Sequence, residues 1–91
     1  MRTLIYYIDP SHGWLHVPAD CLTALSLSAA DFSRYSYLGR EGALYLEEDC
    51  DMTKFLQVYS RVCGEMPIIK ESVARGDSFV RGMPRNIPIA A

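Results

Sequence analysis

The most constraining feature of the sequence is one amphipathic stretch between residues 52 and 63. Its apolar residues recur with the spacing of a single helical face, and Gly64 stands where helices commonly end in a left-handed conformation. Asp51 precedes the stretch as a candidate N-cap. The apolar face comprises Phe55, Leu56, Tyr59, Val62 and Cys63. The pattern predicts a helix over residues 52–63 that buries this face, including the Cys63 thiol, against other elements.

The other periodic segments are short and strand-like. They are rich in β-branched and aromatic residues and are punctuated by proline and glycine, which favours strands joined by turns. Pro18 suits the first turn of a short helix, because its missing N–H would be unpaired there. The sequence predicts strands at 3–8, 14–17, 32–38, 43–46 and 68–73, and a short helix at 18–26.

The resulting order is β-β-α-β-β-α-β in a chain of 91 residues, which is the size of one domain. Each helix can bury its apolar stripe only against a sheet. We therefore expect a single small α+β domain, with a mixed or antiparallel sheet and helices on one face. The domain should span residues 1–74. Recurrent glycine and proline predict an irregular C-terminal tail over 75–91, anchored by Phe79, Val80 and Ile87.

The composition limits the possible functions. A net charge of −2 gives no reason from bulk charge to expect nucleic-acid binding. Three cysteines, an odd number without a C-x-x-C pair, indicate reduced thiols rather than a disulfide framework. No apolar run approaches the roughly 18–20 residues of a membrane span. The apolar N-terminal run ends at Asp9-Pro10, too soon for a signal peptide, so we expect a cytoplasmic protein without a membrane partner.

An acidic run is the strongest local charge feature. Glu47, Glu48, Asp49 and Asp51 lie within five residues, immediately before and at the start of the predicted helix. Such a run can steer a basic partner surface toward the protein. Acidic residues at a helix N-terminus also stabilise the helix dipole, so the run can have a purely structural role. The sequence leaves both interpretations open.

Metal binding and catalysis have weaker support. His12 and His16 lie near Asp9 and Cys21, which are possible zinc ligands, but a spacing of four aligns ligands on a helix and not on a strand. No nucleophile elbow, phosphate loop or metalloprotease signature is present. An enzyme would need a cleft that gathers His12 or His16 with a cysteine or with the acidic run. We expect no enzymatic activity, no metal and no cofactor.

Two segments together resemble a group of short, uncharacterised proteins encoded by phages, plasmids and integrated mobile elements. They are His12-Gly13-Trp14-Leu15-x-Val17-Pro18 and Tyr45-Leu46-Glu47-Glu48-Asp49-Cys50-Asp51, and Tyr35-Ser36-Tyr37 is similar too. The resemblance covers roughly residues 5–60, with a looser match at Gly76-Asp77-Ser78-Phe79. It implies an accessory protein that acts on host or competing-element machinery by binding it, and it carries no established activity.

These observations predict a non-enzymatic protein-binding module of a phage or mobile element, with a counter-defence inhibitor of the anti-CRISPR kind as its specific form. The partner would be a host or competing-element protein with a basic surface. The predicted contact residues are the acidic Glu47, Glu48 and Asp49 and the tyrosines Tyr35, Tyr37 and Tyr45, which we expect to be exposed. The alternative is a small nucleic-acid-binding regulator that uses the tail arginines Arg75, Arg81 and Arg85.

Overall fold

A computed structural model describes residues 2–87 of the chain. It confirms the predicted α+β class, with five strands and two helices in one compact unit. The elements are β1 (Thr3–Ile8), β2 (Gly13–Val17), α1 (Ala19–Ala24), β3 (Tyr37–Leu38), β4 (Leu44–Glu47), α2 (Asp51–Cys63) and β5 (Ile68–Val73). Three short 3₁₀ turns, Ala29–Asp31, Arg40–Gly42 and Phe79–Gly82, lie between or after them. Neither of the two helices within residues 2–87 has the length and hydrophobicity that a transmembrane span requires.

The sheet is mixed, with the strand order β3-β4-β2-β1-β5. Strand β5 pairs with β1 in parallel, and all other neighbours are antiparallel. The β1–β2 hairpin forms around the predicted Asp9–Gly13 turn, where the Asp9 N–H donates to the His12 carbonyl at 2.9 Å. Strand β3 is only two residues long, and its outer edge is covered because Tyr37 forms a bridge with Arg85.

The main core lies between one sheet face and the two helices. Strand residues that alternate onto this face include Leu4, Leu15 and Leu46, and they pack with helix residues such as Leu22 and Phe55. Phe55 is completely buried, and full burial of such a side chain contributes about 1.5–3 kcal/mol to folding. The helices therefore share one face of the sheet.

Helix α2 forms over the predicted residues and ends at Gly64, which adopts a left-handed conformation with φ 76°. Two details differ from prediction. Cys50 occupies the N-cap, whereas Asp51 is the first helical residue and is buried. The expectation that Cys63 is buried is wrong, because the buried stripe of the helix ends at Tyr59 and its last turn is exposed.

The C-terminal segment, residues 75–87, covers part of the opposite sheet face. Val80 is fully buried there in a second cluster with Trp14, Tyr37 and Tyr45. The anchoring is uneven, because Val80 is buried while Phe79 and Ile87 remain more than half exposed. Backbone hydrogen bonds hold the segment beside β3: the Leu38 N–H donates to the Pro84 carbonyl, and the Asn86 N–H donates to the Ser36 carbonyl. Predicted tail residues 88–91 lie outside the described part.

Ending the chain after Ala74 tests whether residues 1–74 form a complete domain. We expect this truncation to lower the free energy of unfolding by about 1.5–3 kcal/mol or more. The buried Val80 side chain is lost, and the rings of Trp14, Tyr37 and Tyr45 become exposed to solvent. Urea denaturation measures the loss, and binding of an apolar dye reports the exposed rings. A chain ended after Ile87 is the control. Equal stability of the 1–74 chain and this control would contradict the expectation.

Candidate functional site

Four segments of the chain meet around one cleft of about 360 Å³. The β1–β2 turn, the loop before β3, the connection from β4 to α2, and the C-terminal segment each contribute side chains to it. The lining residues are His12, Trp14, Tyr35, Tyr37, Glu47, Asp49, Cys50, Arg81 and Arg85. The cleft thus combines aromatic, acidic and basic groups, which are the groups that fix and orient ligands in binding sites.

The floor of the cleft consists of two buried aromatic rings. Trp14 and Tyr37 are both almost fully buried and pack edge to face, with ring centroids 6.0 Å apart. The Arg81 guanidinium lies 5.1 Å from the Trp14 ring centre, and the Arg85 guanidinium lies 4.6 Å from that of Tyr37. Each arginine therefore makes a cation–π contact that holds it at the edge of the cleft.

The predicted exposure of the tyrosines is correct for one of the three. Tyr35 is 58% exposed at the mouth of the cleft, whereas Tyr37 and Tyr45 are buried. The prediction was wrong for these two because Tyr37 and Tyr45 are register partners on the face that the C-terminal segment covers. Phe79 packs edge-on against Tyr45 at 5.7 Å. The burial of Tyr45 raises the pKa of its phenol.

Glu47 is used by the fold as an internal cap. Its carboxylate accepts the backbone N–H groups of Asp49 at 3.0 Å, Cys50 at 2.7 Å and Asp51 at 3.1 Å. These N–H groups precede helix α2 and begin it, where no intrahelical acceptor exists. Glu47 therefore performs the capping role that the sequence assigned to Asp51, and its negative charge is compensated by the helix N-terminus.

Asp51 has a different structural role, because its side chain connects the start of helix α2 to the loop before β3 through hydrogen bonds. Its buried Oδ2 accepts hydrogen bonds from the Ser33 N–H at 2.9 Å, the Ser33 hydroxyl at 2.7 Å and the Ser36 hydroxyl at 2.5 Å. The Ser36 hydroxyl in turn accepts the Glu47 N–H at 3.0 Å. Removing one partner of such a buried network commonly costs about 1–3 kcal/mol. This network fixes Tyr35 and Tyr37 beside the cleft.

Glu48 lies in a chain of three polar side chains behind the cleft. Its Oε2 accepts the Tyr6 hydroxyl at 3.0 Å, and its Oε1 lies 3.4 Å from the His12 Nδ1. Burial, and then the bond to Glu48, raises the pKa of Tyr6 to about 12. A Cβ at Gly13 would lie only 2.2 Å from the Tyr6 hydroxyl oxygen, so glycine at this position leaves room for the Tyr6 side chain to reach Glu48.

Asp49 is the member of the acidic run that the fold leaves free. Within residues 2–87 its carboxylate accepts no hydrogen bond and lies in no ion pair. Cys50, beside it, is exposed as well. Of the four acidic residues singled out in the sequence, only Asp49 therefore presents an uncompensated charge at the cleft.

Asp9, considered from the sequence only as the end of the N-terminal apolar run and as a possible zinc ligand, holds the C-terminal segment in place. Its Oδ1 accepts the N–H groups of Ser11 and His12, as an aspartate in a D-P-S-H-G turn commonly does. Its Oδ2 accepts the Ser78 N–H at 3.0 Å and the Arg81 Nε–H at 2.7 Å, and its Oδ1 also accepts a hydrogen bond from Arg81 Nη2 at 3.1 Å. The Arg81 ion pair and the backbone N–H donors lower the Asp9 pKa well below its usual range.

The three tail arginines do not form one surface. Arg81 is paired with Asp9, and Arg85 lies against Tyr37 at the β3 edge of the sheet. Arg75 follows β5, which is the opposite edge. Arg85 also lines a smaller cavity of about 290 Å³, together with Arg34, Tyr35 and Ile87. Arg34 was missed by the sequence analysis, although its neighbour Tyr35 was singled out.

The cleft gathers His12, Cys50 and Asp49, as the enzyme hypothesis required. Within residues 2–87, however, no hydrogen bond joins the Cys50 thiol to a base, and the His12 Nδ1 faces Glu48 instead. His16 does not line the cleft; it packs on Tyr45 at 5.0 Å, and burial lowers the pKa of its imidazole. The described residues include no group of three or more histidine, cysteine or acidic side chains that could hold a metal ion.

Comparison of the chain with protein-family models, with curated proteins and with solved structures found no match.

The Asp9 anchor predicts a specific dependence of stability on pH. Because the pKa of Asp9 is lower in the folded than in the unfolded chain, its contribution is complete above about pH 4, the ordinary aspartate pKa, and is lost as the pH falls below it. An Asp9→Asn variant should be less stable at neutral pH and should lose less further stability on acidification. Urea midpoints measured between about pH 2 and pH 7 test this, with exposed Glu65→Gln as the control. Parallel curves for Asp9→Asn and the wild type would contradict it.

Proposed function

We propose that this protein acts by binding another protein, and that the cleft is its recognition site. The observation that carries the proposal is that an exposed ring, Tyr35, and an uncompensated carboxylate, Asp49, line the same cleft over a floor of buried aromatic rings. Exposed tyrosines beside well-packed pockets commonly act as hot spots of protein interfaces. The predicted contact residues thereby narrow to Tyr35 and Asp49, which both line the cleft and are exposed.

The segments that carry the resemblance to mobile-element proteins support the same site. The segment around His12 and Trp14, the Tyr35-Ser36-Tyr37 segment and the segment around Glu47 and Asp49 are far apart in sequence, yet each lines the cleft. In the context that the resemblance implies, the protein is a non-enzymatic accessory protein of a phage or mobile element. Its target is a host or competing-element protein that handles nucleic acid, as for a counter-defence inhibitor. Asp49 would contact a lysine or arginine of that target.

A double variant, Tyr35→Ala with Asp49→Lys, tests the proposal without disturbing the internal cap at Glu47. We expect the wild type to capture a partner from bacterial host lysate, identified by mass spectrometry. The double variant should bind the purified partner about 30-fold or more weakly, the loss typical of a hot spot. The measurement is a titration of the labelled protein with that partner.

The matched control makes the same types of change on the exposed strand β5, namely Val73→Ala with Glu71→Lys. The control should bind as the wild type does, and both variants should keep the wild-type circular dichroism spectrum. A folded cleft variant that binds the partner with unchanged affinity would exclude the cleft as the recognition site.

A second candidate function is the binding of single-stranded nucleic acid. It is favoured by a patch of Arg34, Tyr35 and Arg85, in which the Arg34 guanidinium lies 5.7 Å from the centre of the exposed Tyr35 ring. An exposed ring can stack on a base, while flanking arginines neutralise phosphates. This patch replaces the set of Arg75, Arg81 and Arg85 that the sequence predicted, because Arg81 already neutralises Asp9.

Salt dependence separates this candidate from protein binding. If the patch binds a labelled random single-stranded DNA or RNA, two phosphate contacts predict a slope of log affinity against log salt of about −1.4. Arg34→Ala should reduce the magnitude of the slope by about 0.7, whereas Arg75→Ala, at the far edge of the sheet, should leave it unchanged. Fluorescence anisotropy measures both. No binding at low salt, or equal effects of the two variants, would dismiss the patch.

A further inference from the structure

The inner charges of the cleft are neutralised by the fold itself. On one wall, Arg81 is held by two hydrogen bonds to Asp9. On the other wall, Glu47 accepts three backbone N–H groups at the start of α2. A ligand gains little from either group, because each already has its partners and would have to release them. The ligand-binding charges of the cleft must therefore be the outer ones.

The outer charges are Arg85 and Asp49, and they have opposite signs. Both side chains line the same cleft, and both residues are exposed. Within residues 2–87 neither forms an ion pair, with the other or with a third residue. Arg85 is oriented by its contact with the buried Tyr37 ring, and Asp49 is positioned by the bond from its own N–H to Glu47. The cleft thus presents one positive and one negative group to a ligand.

The cleft that these two residues line has an aromatic floor. Trp14 and Tyr37 form the floor, and Tyr35 stands at the mouth. A volume of about 360 Å³ lies at the lower end of the range for ligand sites and can take one large side chain with its adjoining backbone. An apolar side chain inserted here would displace water mainly from the Tyr35 ring, because the Trp14 and Tyr37 rings below it are already almost fully buried.

We infer that the cleft recognises a mixed-charge segment of the partner protein, in which an acidic and a basic residue bracket one large apolar residue. The acidic side chain pairs with Arg85, the basic side chain pairs with Asp49, and the apolar side chain packs against the exposed Tyr35 ring. A uniformly basic or uniformly acidic segment would place one like charge against Arg85 or Asp49, which is unfavourable in a partly dehydrated cleft.

This inference rests on the proposed function, because it names the feature of the partner that the cleft selects. It is tested with a displayed library of random heptapeptides, selected on the immobilised full chain. We expect the enriched peptides to carry one acidic and one basic residue on either side of a large apolar residue. A synthetic peptide of that type should bind in a fluorescence polarisation titration, and its versions with both charges acidic or both basic should bind at least about tenfold more weakly.

Two charge-reversal variants of the protein test which charged residue of the peptide contacts Arg85 and which contacts Asp49. Arg85→Glu should lose the preference for the acidic residue, and Asp49→Lys should lose the preference for the basic one. Each should weaken the mixed-charge peptide by about tenfold or more. The matched controls, Lys70→Glu and Glu71→Lys on the exposed strand β5, make the same changes outside the cleft and should bind as the wild type does.

The possible outcomes distinguish this inference from the proposed function. Enrichment of purely basic peptides would overturn the inference. The proposed function would remain, because the cleft would still contact a basic partner through Asp49. Enrichment of purely acidic peptides that depends on Arg85 alone would overturn it in favour of the arginine patch. Absence of any enriched peptide would overturn it as well. The double variant Tyr35→Ala with Asp49→Lys, tested on the captured partner, decides the proposed function independently.

Discussion

The rest of the structure depends on one buried carboxylate, that of Asp9. It is 4% exposed and accepts hydrogen bonds both from its own turn and from Ser78 and Arg81, about seventy residues further along the chain. A buried carboxylate without such donors would be strongly unfavourable, so the turn and the C-terminal segment must stay together. This contact brings Arg81 over Trp14 and positions Val80 on the second sheet face. The basic wall of the cleft exists because of it.

The need of buried carboxylates for hydrogen-bond donors also determines the acidic side of the cleft. Glu47 and Asp51 each find several donors, and Glu48 contacts Tyr6 and His12. Three of the four carboxylates in the acidic run therefore make contacts within the fold, and only that of Asp49 is left without a partner among residues 2–87. The consequence for function is a site of mixed charge with an aromatic floor, in place of a broad negative surface. Proteins with such sites discriminate between partners through the placement of individual charges.

Much of the fold could be predicted, because the helix and strand periods are local properties of the sequence. Three features can be predicted from the sequence alone: the apolar stripe with Phe55 and Tyr59, the helix end at Gly64, and the turn around Pro10 and Gly13. The site was predicted only in part. Tyr35 and Asp49 lie where a contact surface needs them, but Tyr37 and Tyr45 are buried and Arg34 was overlooked. The long-range partners of Asp9 and Asp51 have no signature in the spacing of residues.

The sequence by itself determined the α+β class, the order of the elements and the presence of acidic, aromatic and arginine residues, since these follow from local pattern and composition. Only the tertiary structure decided which of those residues face solvent. The C-terminal segment folds back over one side of the sheet, buries two tyrosines and pairs Arg81 with Asp9. The physical reason is that burial and charge compensation depend on contacts between residues distant in the chain, and no local pattern encodes them.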